Sequence, residues 1–321
     1  MHHVSLCLVI LATSHGAVQA ADDAVRIAKW QGDRVGAFAL TFDDGQREQV
    51  TLAGPMLDAL GIKATFVINP GKTPAQTGES WNGSWDEWRA MAKNGHEIGN
   101  HSMTHTNFAQ VKDEGLEEEI VVAQKRIEQE IGQPCITFCY PFNAETPASR
   151  VVVKRTHAVA TDTRRKAYGG KDFTADKANA WVDEAIAKKD LVVAMIHGID
   201  TGYLPFTGRA VFKDHLDYLK SKEAQVWIAP FGVVDRYRQQ REAAKLEAKP
   251  GAHQATFTLT CPLDPKTYHV PLTVVIACGS TPKTPVAKRD GASEPTPVSI
   301  HGDALHCEVV PGPGLVTVSW K

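Results

Sequence analysis

Apolar runs and amphipathic stretches alternate along most of the chain. Residues 35–42 are apolar or small and break off at Asp43-Asp44-Gly45, the pattern of a buried strand ending in a turn. A helix centred on residues 55–60 follows, with Pro55 suited to its first turn and Gly61 as its stop. Residues 64–68 form a second strand. Ser84 and Glu87 have capping-box spacing and open a helix that runs to Asn94-Gly95. A short strand at 96–99 leads into Asn100-His101-Ser102-Met103-Thr104-His105. In the next helix Leu116, Ile120, Ala123, Ile127 and Ile131 share one face, and Gly132 closes it. Strands at 136–140 and 158–160 come next, then a helix through Ala180, Trp181, Ala185 and Ile186. Residues 191–196 are wholly apolar and end at His197, as a fully buried strand would. A helix carrying Phe212, Leu216 and Leu219, a strand at 226–228 and a charged helix over 233–248 finish this part.

Strands alternating with helices predict parallel pairing, and about seven such units favour a closed or nearly closed (β/α) barrel. The helical period vanishes at Lys249-Pro250-Gly251. Beyond it, strand-like runs at 256–260, 272–277 and 315–320 are separated by Pro/Gly-rich turns, predicting a small β-sandwich over 250–321. Packing is its simplest role and carbohydrate binding the alternative.

A chain of 321 residues accommodates one large α/β domain and a smaller one. Its net charge of −2 gives no reason to expect nucleic acid or an anionic membrane as a partner. Residues 4–12 are apolar but too few to span a bilayer, and Val18-Gln19-Ala20 offers a small-residue cleavage site. Residues 1–20 therefore read as a leader, 21–249 as the barrel, and the mature protein as secreted or periplasmic, without a membrane span. Of six cysteines, five follow the leader. One disulfide among Cys261, Cys278 and Cys307 suits an oxidising compartment, and Cys135 and Cys139 are spaced to pair across a bend. With no CxxC pair, a cysteine-based zinc site is not expected.

His101 and His105 have a spacing that places two imidazoles on one metal. With 13 histidines, about half of one such pair arises by chance, so spacing alone carries little weight. Position adds to it. Asp43-Asp44, the histidine pair and His197 each follow a separate apolar strand, and in a parallel barrel all strand carboxyl ends open on one face. Two imidazoles and one carboxylate leave positions open on a cation, as catalytic sites do; a second carboxylate then serves as base and a lone histidine as acid.

Thr41-Phe42-Asp43-Asp44-Gly45, His101-Ser102-Met103-Thr104-His105, Tyr140-Pro141-Phe142 and Met195-Ile196-His197, in this order, resemble the polysaccharide deacetylase family (carbohydrate esterase family 4) from about Val35 to Tyr237. The resemblance implies a distorted (β/α) barrel and a metal-dependent hydrolase that removes acetyl groups from a carbohydrate. By position, Asp44, His101 and His105 would hold a divalent metal, usually Zn²⁺, although such sites accept several divalent ions. Asp43 would be the base acting on water and His197 the acid. The metal and a backbone N–H near Phe142, in the segment Tyr140-Pro141-Phe142, would stabilise the oxyanion.

Two departures stand out. Where the family has an arginine that orients the base, this chain has Cys139. The family's fourth motif is reduced to Asp162 within Asp162-Thr163-Arg164-Arg165. Arg164 or Arg165 is the candidate replacement cation; solvated surface arginines are the competing reading. A catalytically impaired carbohydrate-binding protein is the alternative function, and amide hydrolysis on a small non-sugar substrate a third. Trp81, Trp85 and Trp88 crowd one segment, where helix packing competes with sugar stacking. Residues 200–205 read as a rim loop, and His96, His157 and His215 as structural. Oligomeric state is not legible.

Overall fold

A computed structural model describes residues 24–161 and 165–321. The leader and residues 162–164, with Asp162 and Arg164, lie outside the described residues. The chain divides into two compact units. One is Lys29–Glu242 with Leu263–Val270; the other joins Ala243–Pro262 and Pro271–Lys321 to residues 24–28.

In chain order the strands are β1 (Val25–Ile27), β2 (Gly36–Phe42), β3 (Thr65–Ile68), β4 (Glu97–Asn100), β5 (Thr137–Phe138), β6 (Val159–Ala160), β7 (Lys166–Ala167), β8 (Leu191–Ile196), β9 (Val226–Ile228), β10 (Lys245–Lys249), β11 (Gln254–Thr260), β12 (Leu272–Ala277), β13 (Val286–Arg289), β14 (Val298–His301), β15 (Ala304–Val309) and β16 (Gly312–Ser319). The larger unit is an eight-stranded parallel sheet in the order β6-β5-β4-β3-β2-β8-β7, with β9 also paired to β2. It is the expected (β/α) barrel, curled but open: no pairing joins β6 to β7 among the described residues. β2 is its axis. All seven residues of β2 are buried; β8 runs along one edge, and β9 and then β3 share the other. Phe42 stacks on Phe66 and meets Phe212 edge-on inside the largest apolar cluster.

The helices largely follow the hydrophobic periods, with three differences. The helix after β2 begins with a π turn at Gln49–Ala53 before the α-helix Gly54–Ala59. Pro55 thus sits well inside it, and the wide turn, in which Gly54 N–H reaches Gln49 O, accommodates a residue with no N–H to give. The charged helix ends at Ala243, and residues 245–249 form β10 instead. A helix over Pro147–Thr156 has no counterpart in the periodic reading. Thr146 caps it reciprocally with Ser149, a shorter partner than the usual Glu or Gln, and its Val151-Val152-Val153 run favours strand by propensity.

The smaller unit is a β-sandwich of two antiparallel sheets, β1-β12-β15-β14 and β10-β11-β16-β13. Alternate residues of β11 are buried, as one covered face requires. Strand β1, from the other end of the sequence, completes one sheet by pairing Val25 with Ile276.

Among the described residues the expected disulfides are not formed by Cys135, Cys139, Cys261, Cys278 or Cys307. Extended β5 separates Cys135 from Cys139 by roughly 13 Å, about twice the reach of a disulfide. Cys307 is in register with Val274, four residues before Cys278. Among the described residues no helix is long and apolar enough to cross a membrane.

Candidate active site and metal centre

Parallel register brings the carboxyl ends of the barrel strands to one level. Phe42 pairs with Ile196 and Phe66, Ile68 with Asn100, and Asn100 with Phe138. The next residues therefore face one mouth: Asp43 and Asp44 after β2, His101 after β4, Cys139 after β5 and His197 after β8. Asp43 N–H donates to Ile196 O at 2.8 Å, which sets Asp43 beside His197.

His101 and His105 do not share a helix. They flank a tight turn in which Ser102 and His105 both take positive φ, closed by His105 N–H donating to Ser102 Oγ at 3.0 Å. Asn69 donates from its side chain to the carbonyls of His101 and Ser102, and Asn100 Oδ1 accepts from Ser102 N–H. Asp44, Phe142 and Asn143 also have positive φ. Left-handed, non-glycine backbone thus clusters at the mouth, where strain is tolerated when the surroundings fix it.

Asp44 Oδ1 lies 3.0 Å from His105 Nε2 and 3.5 Å from His101 Nε2. It is nevertheless buried without a hydrogen-bond partner. His101 Nδ1 is 2.9 Å from Cys139 O; a proton there donates to the carbonyl and leaves the Nε2 lone pair aimed at Asp44. Burial would raise the Asp44 pKa, but the two imidazoles outweigh it and hold the carboxyl far below the usual range. An orphaned carboxylate oxygen and two imidazole nitrogens, all within 4.8 Å of one another, make a donor set that fits a divalent cation.

Asp43 is buried beside this set: one of its oxygens, a His101 ring nitrogen and Cys139 Sγ lie within 4.8 Å of one another. Arg165 Nη1 donates to both of its oxygens at 2.8 Å, and this ion pair is buried on both sides. Arg165 enters from below: Lys166 pairs with Ala194, so Arg165 is level with Val193, four residues before His197. It also donates to Thr41 Oγ1 (3.3 Å) and Asn143 Oδ1 (3.1 Å). Cys139 Sγ is 3.8 Å from Asp43 Oδ1 and accepts from Thr161 Oγ1 at 3.2 Å. Burial pushes its thiol pKa up to about 12, so it packs against the carboxylate as a neutral group.

His197 is almost fully buried, its ring edge-on to Tyr203 at 5.0 Å, and its Nδ1 has no hydrogen-bond partner. Burial lowers its pKa, and the charges of Asp43 and Asp44 pull it partly back. The rim after it is pinned by Glu48, whose carboxylate accepts from the backbone N–H groups of Ile199, Asp200 and Thr201.

The segment Tyr140-Pro141-Phe142 divides. The Tyr140 ring packs on Phe138 and Phe108 in a separate core cluster, away from the mouth, whereas Phe142 is exposed and lies 4.7 Å from the His105 ring. Trp85 and Trp88 are core residues, and Trp88 Nε1 donates to Gly83 O. Trp81 is half exposed and lines a groove of about 270 Å³ with Arg47, Thr51, Ser80 and Thr201. His96, His157 and His215 are buried and partnered by Asp58, Asn100 and Tyr168 respectively.

Residues 32–160 match the sequence model of the polysaccharide deacetylase family. A gellan lyase from a Bacillus species is 24% identical over 294 residues, covering 78% of this chain and 11% of that protein. A chitin deacetylase from a Pestalotiopsis species is 27% identical over 99 residues, covering 30% of each. This chain therefore spans about a tenth and under a third of these relatives' lengths. Among solved structures, the Xyl-CE4 domain of a multidomain xylanase from the hindgut metagenome of Trinervitermes trinervoides aligns with a TM-score of 0.47 at 15% identity, covering 62% of this chain and 89% of that one.

Proposed function

We propose, from the polysaccharide deacetylase sequence that residues 32–160 carry, that this protein hydrolyses acetyl groups from a carbohydrate polymer or oligosaccharide with the help of a divalent metal. The observation that carries this reading is the unpartnered Asp44 Oδ1 facing two imidazole Nε2 atoms, beside a second carboxylate held by its own cation. A cation held by Asp44, His101 and His105, with Zn²⁺ the expected one, would polarise the acetyl carbonyl and acidify water.

The chain's own residues handle the protons. Asp43, aligned by Arg165, takes a proton from the attacking water as its oxygen bonds to the acetyl carbon. His197 gives a proton to the departing atom as the C–N or C–O bond breaks, leaving acetate and an amine or alcohol. An amine leaves far less readily than an alcohol without that proton, so a dedicated acid favours N-acetyl over O-acetyl substrates. A backbone N–H near Phe142 is the proposed oxyanion donor; that of Asn143 is engaged with Tyr140 O. Trp81 is the proposed sugar platform, since Arg47 N–H donates to its carbonyl and Asn82 bonds Asp44 O at 2.7 Å. The apolar segment 4–12 supports export to a secreted or periplasmic location.

Acetate release from acetylated chitooligosaccharides, peptidoglycan and xylan, with and without chelator, tests the reading. Release that stops on chelation supports it. A metal-loaded protein that binds these sugars but frees no acetate is instead the catalytically impaired binding protein.

A further inference from the structure

Gln49 is fully buried, and its sequence context gives no hint of a role. Its side-chain amide donates one N–H to Asp43 O at 2.5 Å and the other to His197 O at 2.8 Å. These carbonyls belong to the two proton-handling residues, which leave the sheet on neighbouring strands; Asp43 N–H donates to the carbonyl of Ile196, the residue before His197. Both donors of one side chain are thus committed to the two places where the base and the acid leave the barrel. Gln49 Oε1 is buried and accepts no hydrogen bond. A group chosen only to fill the space would have no such unused acceptor.

The surroundings reinforce the link. Glu48 gathers the backbone N–H groups of residues 199–201, and a Cβ on Gly202 would stand 2.4 Å from Gln46 Oε1. The π turn that starts at Gln49 sets its side chain inward while the helix proceeds outside.

We propose that Gln49 is a positioning residue: a two-pronged clamp that holds the backbones of Asp43 and His197 at a fixed separation, so that base and acid stand on opposite sides of one substrate. This rests on the deacetylase reading for its catalytic consequence but not for the clamp itself. Gln49→Met keeps length and volume and removes both donors. In the metal-loaded full-length protein, kcat for acetate release falls roughly 10- to 100-fold, as ångström-scale misplacement implies. KM stays within about twofold, because the Trp81 groove does not depend on the clamp. Gln49→Glu is the pH probe. Its ionised carboxylate faces two carbonyl oxygens, and only its acid form regains one donor, so its kcat relative to wild type declines as pH rises.

Imidazole NMR of the histidines supplies the readout independent of turnover. His197 signals broaden or double in Gln49→Met, while those of His96, His157 and His215 stay put. Unchanged kcat together with unchanged His197 signals overturns the clamp. So does a loss of activity that merely tracks the folded fraction, with all histidine signals moving together. If wild type frees no acetate but the His197 signals alone respond, the deacetylase reading fails and the clamp stands.

Discussion

Arg165→Met is the most informative single change at this site. The guanidinium meets Asp43 with both partners almost wholly out of water, at 3% and 2% side-chain exposure, and two 2.8 Å contacts come from one nitrogen. Removing one member of such a pair leaves a buried charge uncompensated, at a cost of about 3–5 kcal/mol. For a unit of this size that lowers Tm by on the order of 10 °C. The catalytic effect is separate. Without Arg165 the carboxylate loses the two contacts that aim it at the attacking water, so kcat drops by up to roughly 10²–10⁴-fold, the usual contribution of general-base catalysis. Calorimetry and acetate release on Arg165→Met, Asp43→Asn and the double variant form a cycle. The double variant, with neither charge, is expected to be more stable than the two single losses add up to, by about 2 kcal/mol or more. Cys139→Arg in the Arg165→Met background offers a second guanidinium from β5, since Cys139 Sγ already lies 3.8 Å from the carboxylate. Additive stabilities, or an Arg165→Met enzyme with wild-type kcat and Tm, refute the assignment of Arg165 as the cation that holds Asp43.

Chelation lowers Tm and Zn²⁺ restores it, by about 2.7 kcal/mol of stability at a hundredfold excess over Kd, and Asp44→Asn abolishes this response in a thermal titration. Trp81→Ala raises KM for an acetylated oligosaccharide about 5- to 10-fold with kcat little changed, as loss of a stacking platform implies, while a monosaccharide substrate that does not reach the groove is unaffected. Acid destabilises the fold through His157 and His215, whose pKa values burial lowers from the ordinary 6.5 to about 3. Between those values the unfolded chain binds protons that the native chain refuses, so stability is complete above about pH 6.5 and drains as pH falls; near pH 5 each histidine has removed about 2 kcal/mol. Urea titrations at pH 7 and pH 5, with His215→Gln as the comparison, measure it.

The barrel was legible because burial writes itself into composition. Strand β2 is packed on both faces and reads as an unbroken apolar run; β8 is as apolar, yet only its alternate residues are fully buried, and the helices show their single stripe. Missed elements lack that signature. Strand β14 is mostly exposed and β7 has only two residues, neither of them buried, so no hydrophobic period marks them. Strand β10 continues the charged pattern of the preceding helix, and only its pairing with β11 makes it a strand. Cysteine count suggested disulfides that the folded chain does not form among its described residues.

The chemistry divides along the same line. Asp43, Asp44, His101, His105 and His197 stand just beyond the ends of strands, so locating the strands locates them. Arg165 obeys no such rule, because it starts four residues below the mouth beside a two-residue strand and reaches Asp43 through the length of its side chain. Sequence could only say that a cation was missing at 139 and that two were available at 164 and 165. Gln49 is harder still. Its contribution lies in two backbone carbonyls, which every residue possesses, so nothing in the residue types at 43 or 197 announces a partner. Residues that bond to side chains leave a chemical pattern to search for; residues that bond to backbone become visible only when the chain is folded. A site such as this one is therefore read from sequence as its reactive groups, and from structure as the groups that hold them in place.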